Sequence, residues 1–425
     1  MSLGLPQGLN YNAQKARASA RQRLITVTPD SGTSFTMGQS LSFRLPTSQS
    51  YIDTSTVQLK FSITNACGEA GKKLFLCSNA NCVIARKTER QAQVISDIGP
   101  GYNQLVEILL DTQMGFQQRL TSNAITAGND TAEARLGVEI PTNATKEYQI
   151  GLYGGLLGGA SKYVPCNLSS SMVLELELET AVRAFIWDTT ATPTDAFAVL
   201  SGFELSYNTV ELPADMDRML LASSPVQTIM CEDYQTTTTT MPGGATAHTA
   251  ALPFNKSSMK SYFAGMFHQD ESNSKTLSCI NNRARSTLTS FQVNVGGVMF
   301  PDKAITMKNN PALDHGASFF TNALLAVGHI TPNEVHHTSM ELHDWKLANG
   351  DAAVPGSFFV GVDTDSFVGV SSGVYSGKNT LNTNFSPVYE FGAAVDAGGL
   401  LFRHFCCFDS VVSVDSSTGL ISVSN

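Results

Sequence analysis

The chain has 425 residues, of which 42% are hydrophobic and 15% charged, with a formal net charge of −9. That length suits two to three domains with a sizeable core, and the sparse charge points to surface that becomes buried between subunits. No run of about 18 apolar residues and no apolar stretch of leader length near the amino terminus is found, so neither a helical membrane span nor a secretory signal is expected.

Charge is unevenly placed. Lys15, Arg17, Arg21 and Arg23 stand in the first 29 residues without a single acid, ahead of an acidic body. A basic arm over residues 1–23 suits a polyanion, either nucleic acid or lipid phosphate. The competing reading is an ordinary solvated tail. Thr, Ser, Asn and Gly are frequent and charged helix-forming runs are scarce, which favours an all-β protein with long loops.

After the arm, expected flexible or weakly helical, strand signals follow quickly. Leu41, Phe43 and Leu45 alternate with polar residues, as do Val57, Leu59, Phe61 and Ile63. Such a period of two marks a strand with one buried face. The apolar run Leu105–Asp111 is read as a further strand, followed by a short helix over MGFQQRL. Ile150–Leu157, Val173–Leu178 and Phe203–Leu212 continue the series. The clearest of them places Leu174, Leu176 and Leu178 inward and Glu175, Glu177 and Glu179 outward.

A linker is expected over 213–225, between a first domain at 24–212 and a second at 226–425. In the second, Tyr234–Gly244, with five consecutive threonines, reads as an edge strand entering a loop. Phe291, Val293 and Val295 alternate, and Gly356–Val370 and Val388–Gly392 are strand-like. Val411–Val414 and Leu420–Val423 form a closing hairpin around Gly419. Two helical insertions are expected, one over Ala317–Val327 and one beginning at the capping box Thr331-Pro332-Asn333-Glu334.

The chemistry-bearing residues form no catalytic constellation. Cys77 and Cys82 lack the second pair that a zinc finger needs. The eight cysteines are few and two, Cys406 and Cys407, are adjacent, so they read as reduced thiols. His336, His337 and His343 near Asp344 lack the spacing of a zinc hydrolase and suit a subunit contact. Asp363 and Asp365 suit a solvated face better than a calcium site. The run Gly154–Gly159 lacks phosphate-loop order, and its glycines suit a tight turn or close subunit approach. No catalytic, cofactor or metal site is expected, and the protein is not expected to be an enzyme.

Four segments resemble the double jelly-roll major capsid proteins of tailless icosahedral double-stranded DNA viruses, the adenovirus-like lineage, with polinton-like viruses nearest in flavour. They are QSLSFRLPTSQSYIDTSTVQLKFSI, GLLGGASKYVPCNLSSSMVLELELETA, FELSYNTVELPADM and FDSVVSVDSSTGLISVSN. The resemblance implies two jelly-roll β-sandwiches in tandem, with long loops and short helical insertions. It implies homotrimers forming pseudo-hexagonal capsomers that tile an icosahedral shell around a DNA genome. The partners implied are neighbouring capsomers, a penton, minor capsid proteins, and an internal membrane or packaged DNA, with no small-molecule substrate. The expected location is the virion, assembled inside the host cell without a secretory signal. Lys15, Arg17, Arg21 and Arg23 are then expected to make an inner-shell contact with a polyanion or a minor protein. The alternative is a carbohydrate-binding adhesin or lectin-like β-sandwich, or a β-rich enzyme; with only two tryptophans, Trp187 and Trp345, both are weaker.

Overall fold

A computed structural model describes residues 20–48, 50–68, 72–127, 139–166, 171–187, 194–269, 279–308, 316–327, 338–340, 342, 345, 356–365, 376–415, 418–419 and 421–425. Eight principal strands fill the amino-terminal half. They are β1 (Arg21–Val27), β2 (Ser40–Arg44), β3 (Tyr51–Asn65), β4 (Ile84–Arg90), β5 (Val94–Ile98), β6 (Thr145–Gly151), β7 (Val173–Leu178) and β8 (Ala198–Glu211). Eight more follow: β9 (Val226–Met241), β10 (Ala247–Thr249), β11 (Met259–His268), β12 (Leu288–Val295), β13 (Val298–Thr306), β14 (Phe359–Asp363), β15 (Phe385–Phe391) and β16 (Leu400–Asp415).

The first set forms two antiparallel sheets, ordered β1-β8-β3-β6 and β2-β7-β4-β5. The second set forms sheets ordered β9-β16-β11-β14 and β10-β15-β12-β13, the same orders with every number raised by eight. Each half is thus a jelly roll, and the chain is a double jelly roll. A last strand, β17 (Ile421–Ser424), pairs with β16 as the closing hairpin.

Alternation builds these sheets. In β7 the leucines 174, 176 and 178 are buried, with Leu174 opposite Phe43 and Leu176 opposite Leu41 on β2. On the outer face, Glu175 and Glu177 lie 3.4 Å from Arg90 and Arg86 of β4. In β3, Val57, Leu59, Phe61 and Ile63 point into the same core. The strands β9 and β16 pair over their whole length, from Val226 opposite Asp415 to Met241 opposite Leu400.

Helices fill matching positions in the two halves. Between β5 and β6 stand α1 (Tyr102–Gln113) and α2 (Phe116–Thr126). After β6 comes the short α3 (Gly155–Gly159), and α4 (Ala214–Ser223) crosses from β8 to β9. Between β13 and β14 stands α5 (Ala317–Ala326), which buries Phe319, Phe320, Ala323 and Leu324.

The structure corrects four expectations. The run Leu105–Asp111 is part of helix α1, not a strand. Ten of the twelve α1 residues are buried, so the run carries no single apolar stripe and its period is ambiguous. The stretch Ile150–Leu157 leaves its strand at Gly151, because Gly154 and Gly155, at φ +68° and +67°, turn the chain into α3. Glu179 is buried, beyond the end of β7, and accepts a 3.0 Å hydrogen bond from Asn103 Nδ2. Arg21 and Arg23 belong to β1, opposite Glu211 and Thr209 of β8, so they are strand residues and not part of a flexible or helical arm. The capping box at 331–334 and His336, His337, His343 and Asp344 lie outside the described residues.

Candidate functional site: the seam between the sandwiches

The free edge of β9 lies against the first sandwich, and the glycine run makes that approach possible. A β-carbon on Gly158 would lie 2.7 Å from the Leu152 carbonyl oxygen, and one on Gly159 would overlap the carbonyl oxygen of Glu232 on β9. Immediately after α3, Ala160 bridges Cys231, and the Ser161 N–H donates to the Met230 carbonyl at 2.9 Å. Backbone pairing therefore continues for a short distance from one sandwich to the other.

Beneath this contact lies a buried ion pair. Lys87 and Glu89 of β4 face inward, opposite Leu176 and Leu174 of β7, and neither side chain is exposed at all. Their Nζ and Oε1 atoms are 2.6 Å apart. Lys87 also donates to the Gly154 carbonyl at 2.6 Å. Glu89 accepts the N–H groups of Leu156 and Leu157 at 2.7 and 3.1 Å. Removing two charges from water is costly unless their hydrogen bonds are met, and here the backbone of α3 meets them.

Asp233 of β9 is buried beside this pair and accepts a 2.8 Å hydrogen bond from Ser96 of β5, across the seam. Burial pushes its carboxyl up to about 6, while nearby Lys87 pulls the other way. Farther along, Arg403 of β16 donates to Gln104 Oε1 at 2.8 Å and to the Pro100 carbonyl at 2.9 Å. Burial lowers this guanidinium to about 10, with Arg183 adding repulsion. Gly101, at φ +108°, leaves room for it, since a β-carbon there would lie 2.8 Å from Arg403 Cδ. Gln104 donates to the Cys279 carbonyl at 2.8 Å. Arg283, fully buried, reaches Asp111 of α1 at 2.8 Å. The seam is thus a polar, water-excluded joint whose hydrogen bonds are spread over β4, β5, α1, α3, β9 and β16.

A second polar chain runs inside the carboxyl-terminal sandwich. Thr239 Oγ1 lies 3.0 Å from His248 Nε2 and 2.7 Å from His404 Nε2. His404 Nδ1 lies 2.6 Å from the Tyr262 hydroxyl, which lies 2.6 Å from the Tyr389 hydroxyl. Burial lowers His404 to about 3, and His248 and Arg403 add repulsion. The imidazole is therefore neutral in this core.

Of the residues expected at an inner-shell contact, Arg21 and Arg23 are exposed on β1, where Arg23 Nε lies 3.2 Å from Glu211. Lys15 and Arg17 lie outside the described residues. Asp363 and Asp365 form a local turn, with the Asp365 N–H donating to Asp363 Oδ1 at 2.9 Å. All eight cysteines are buried free thiols. Among the described residues no group of three or more side chains could hold a metal ion, and no helix is long and apolar enough to cross a membrane. The seam residues escaped the sequence reading because charges in IARKTER mimic a wet face. Among the charged seam residues only Arg403, in the apolar run LLFRHFCCF, carried a visible signal.

No protein-family model matches the sequence, and no curated protein does. Solved structures match it over nearly its whole length. The capsid of the virus PBCV-1 shares 12% identity at a TM-score of 0.65, covering 97% of this chain and 98% of that one. The Sputnik virophage structure gives 11% and 0.58, covering 100% and 93%. The mavirus major capsid protein gives 10% and 0.51, covering 100% and 95%. The fold is therefore the double jelly roll of viral major capsid proteins.

Proposed function

We propose that this chain is a viral major capsid protein. The observation that carries the reading is the pair of jelly rolls with identical strand orders, joined by a buried polar seam and matched end to end by capsid structures. Three chains, each supplying two similar sandwiches, approximate six-fold packing, so homotrimers would form pseudo-hexagonal tiles of an icosahedral shell around a DNA genome. The joint suits a part that bears load without moving, and no chemistry is assigned to it.

On this reading the units are the sandwiches on either side of 213–225, and the protein resides in the virion. Its partners are neighbouring capsomers, with a penton and minor capsid proteins at special positions. The basic residues Lys15, Arg17, Arg21 and Arg23 would face inward, towards packaged DNA, lipid headgroups or a minor protein.

Analytical ultracentrifugation and negative-stain microscopy of the purified protein test the proposal. Trimers of hexagonal outline are expected, with subunit interfaces well above the roughly 1,600 Å² of a standard contact. A stable monomer at micromolar concentration would overturn it.

A further inference from the structure

The helix that joins the sandwiches lacks a cover. None of the ten α4 residues is buried, and Met216, Met219 and Leu220 are 41%, 73% and 40% exposed. These three lie on one face of the helix by their spacing of three and four. The flank beside Leu220 is anchored, with Asp217 accepting a 2.6 Å hydrogen bond from the Tyr51 hydroxyl. A ten-residue helix is marginal without packing, and this one leaves its most apolar side open.

We propose that residues 1–19 of the same chain cover the open face of α4. Three observations carry this, independently of the capsid reading, and it gives Lys15 and Arg17 a partner on α4 in place of an inner-shell polyanion. The first is position: Arg21 is paired with Glu211, and α4 begins three residues after Glu211, so the segment and the helix start side by side. The second is reach. The helix is about 15 Å long, whereas 19 residues span up to roughly 60 Å when extended, and a tether this short gives a local concentration on the order of millimolar.

The third is the matching order of the chemistry. Moving away from the shared root, the segment presents first the bases Arg17 and Lys15, then the apolar residues Tyr11, Leu9, Leu5 and Leu3. Moving away from the same root, α4 presents first the exposed acid Asp215, then Met216, then the exposed base Arg218 beside Met219 and Leu220. Charge meets charge near the root, and apolar side chains meet farther out.

Hydrogen exchange of the 214–223 amides tests the proposal in the full chain and in a chain lacking residues 1–19. Exchange in the full chain is expected to be roughly tenfold slower, at every protein concentration. Trypsin cleavage after Lys15 and Arg17 is expected to quicken by a similar factor in Met219→Asp, and in the chain lacking residues 1–19, where Met219 is exposed, the same substitution should leave the melting midpoint unchanged. Leu5→Asp, which alters only the segment, should reproduce that change. Equal exchange in the two chains would overturn the proposal. Protection that appears only as protein concentration rises would also overturn it, making a second copy the cover. Protection that needs anionic lipid vesicles would overturn it in favour of a membrane.

Discussion

The two sandwiches share one strand order but not one kind of core. The first is packed mainly with aliphatic side chains, such as Leu41, Leu59, Ile63, Leu174, Leu176 and Leu205. The second is packed with rings. Tyr262, Phe291, Phe385, Tyr389 and Phe402 contact one another at centroid distances of 4.7–6.1 Å, and His404 lies among them. Identical topology over different cores shows that the order of the strands rests on alternation and connection, while the choice of apolar filling is free within volume limits. It also gives the two halves different weaknesses. The aliphatic core responds to lost volume, the aromatic one to protons.

Acid should separate the halves most strongly. His404 is held near 3 in the fold, below its ordinary 6.5. A depressed histidine contributes stability above pH 6.5, and that stability is lost as pH falls from 6.5 towards 3. The shift corresponds to roughly 5 kcal/mol at the acid end. The two tryptophans read the halves separately, since Trp187 is buried in the first sandwich and Trp345 in the second. On acid titration the Trp345 fluorescence should change first, and His404→Gln should flatten the dependence.

Leu176→Ala should do the reverse, weakening the first sandwich by roughly 2–5 kcal/mol at neutral pH, because Leu176 is fully buried. Denaturant unfolding followed at Trp187 measures it. Gly159→Ala attacks the joint itself. The added methyl meets the Glu232 carbonyl, and such overpacking costs about 1–3 kcal/mol. The two tryptophan transitions should then move apart. If they stay together, the joint tolerates the shift and couples the halves by other contacts. Glu177→Gln should change stability by no more than about 0.5 kcal/mol in a thermal melt, as its partner Arg86 keeps Asp97 at 2.6 Å.

The strands were legible where one face is dry and the other wet, as at Leu174–Leu178, Val57–Ile63 and Phe291–Val295. The helix α1 was illegible because it is buried on nearly every side, with Asn103, Gln104, Glu107 and Thr112 buried beside its apolar residues, so polarity there marks no wet face. The joint was hidden for a different reason. Lys87 and Glu89 carry charges that normally face water, and nothing in their local sequence tells that α3 supplies their hydrogen bonds. The glycine run suits a tight turn or a close subunit approach by sequence; the turn is present, and the close approach the structure shows is within one chain. Its partner is β9 of the same chain, 73 residues beyond Gly159 at Glu232, a distance no local pattern spans.

The bridge from Ala160 and Ser161 to β9 has a consequence for synthesis. An uncovered strand edge is a template for pairing with other chains, and β9, at 16 residues, is among the longest here. Chains emerge amino terminus first and their domains tend to fold in that order. By the time β9 leaves the ribosome, the turn that caps its edge has already been made. A chain with the halves exchanged would expose that edge before its cap existed.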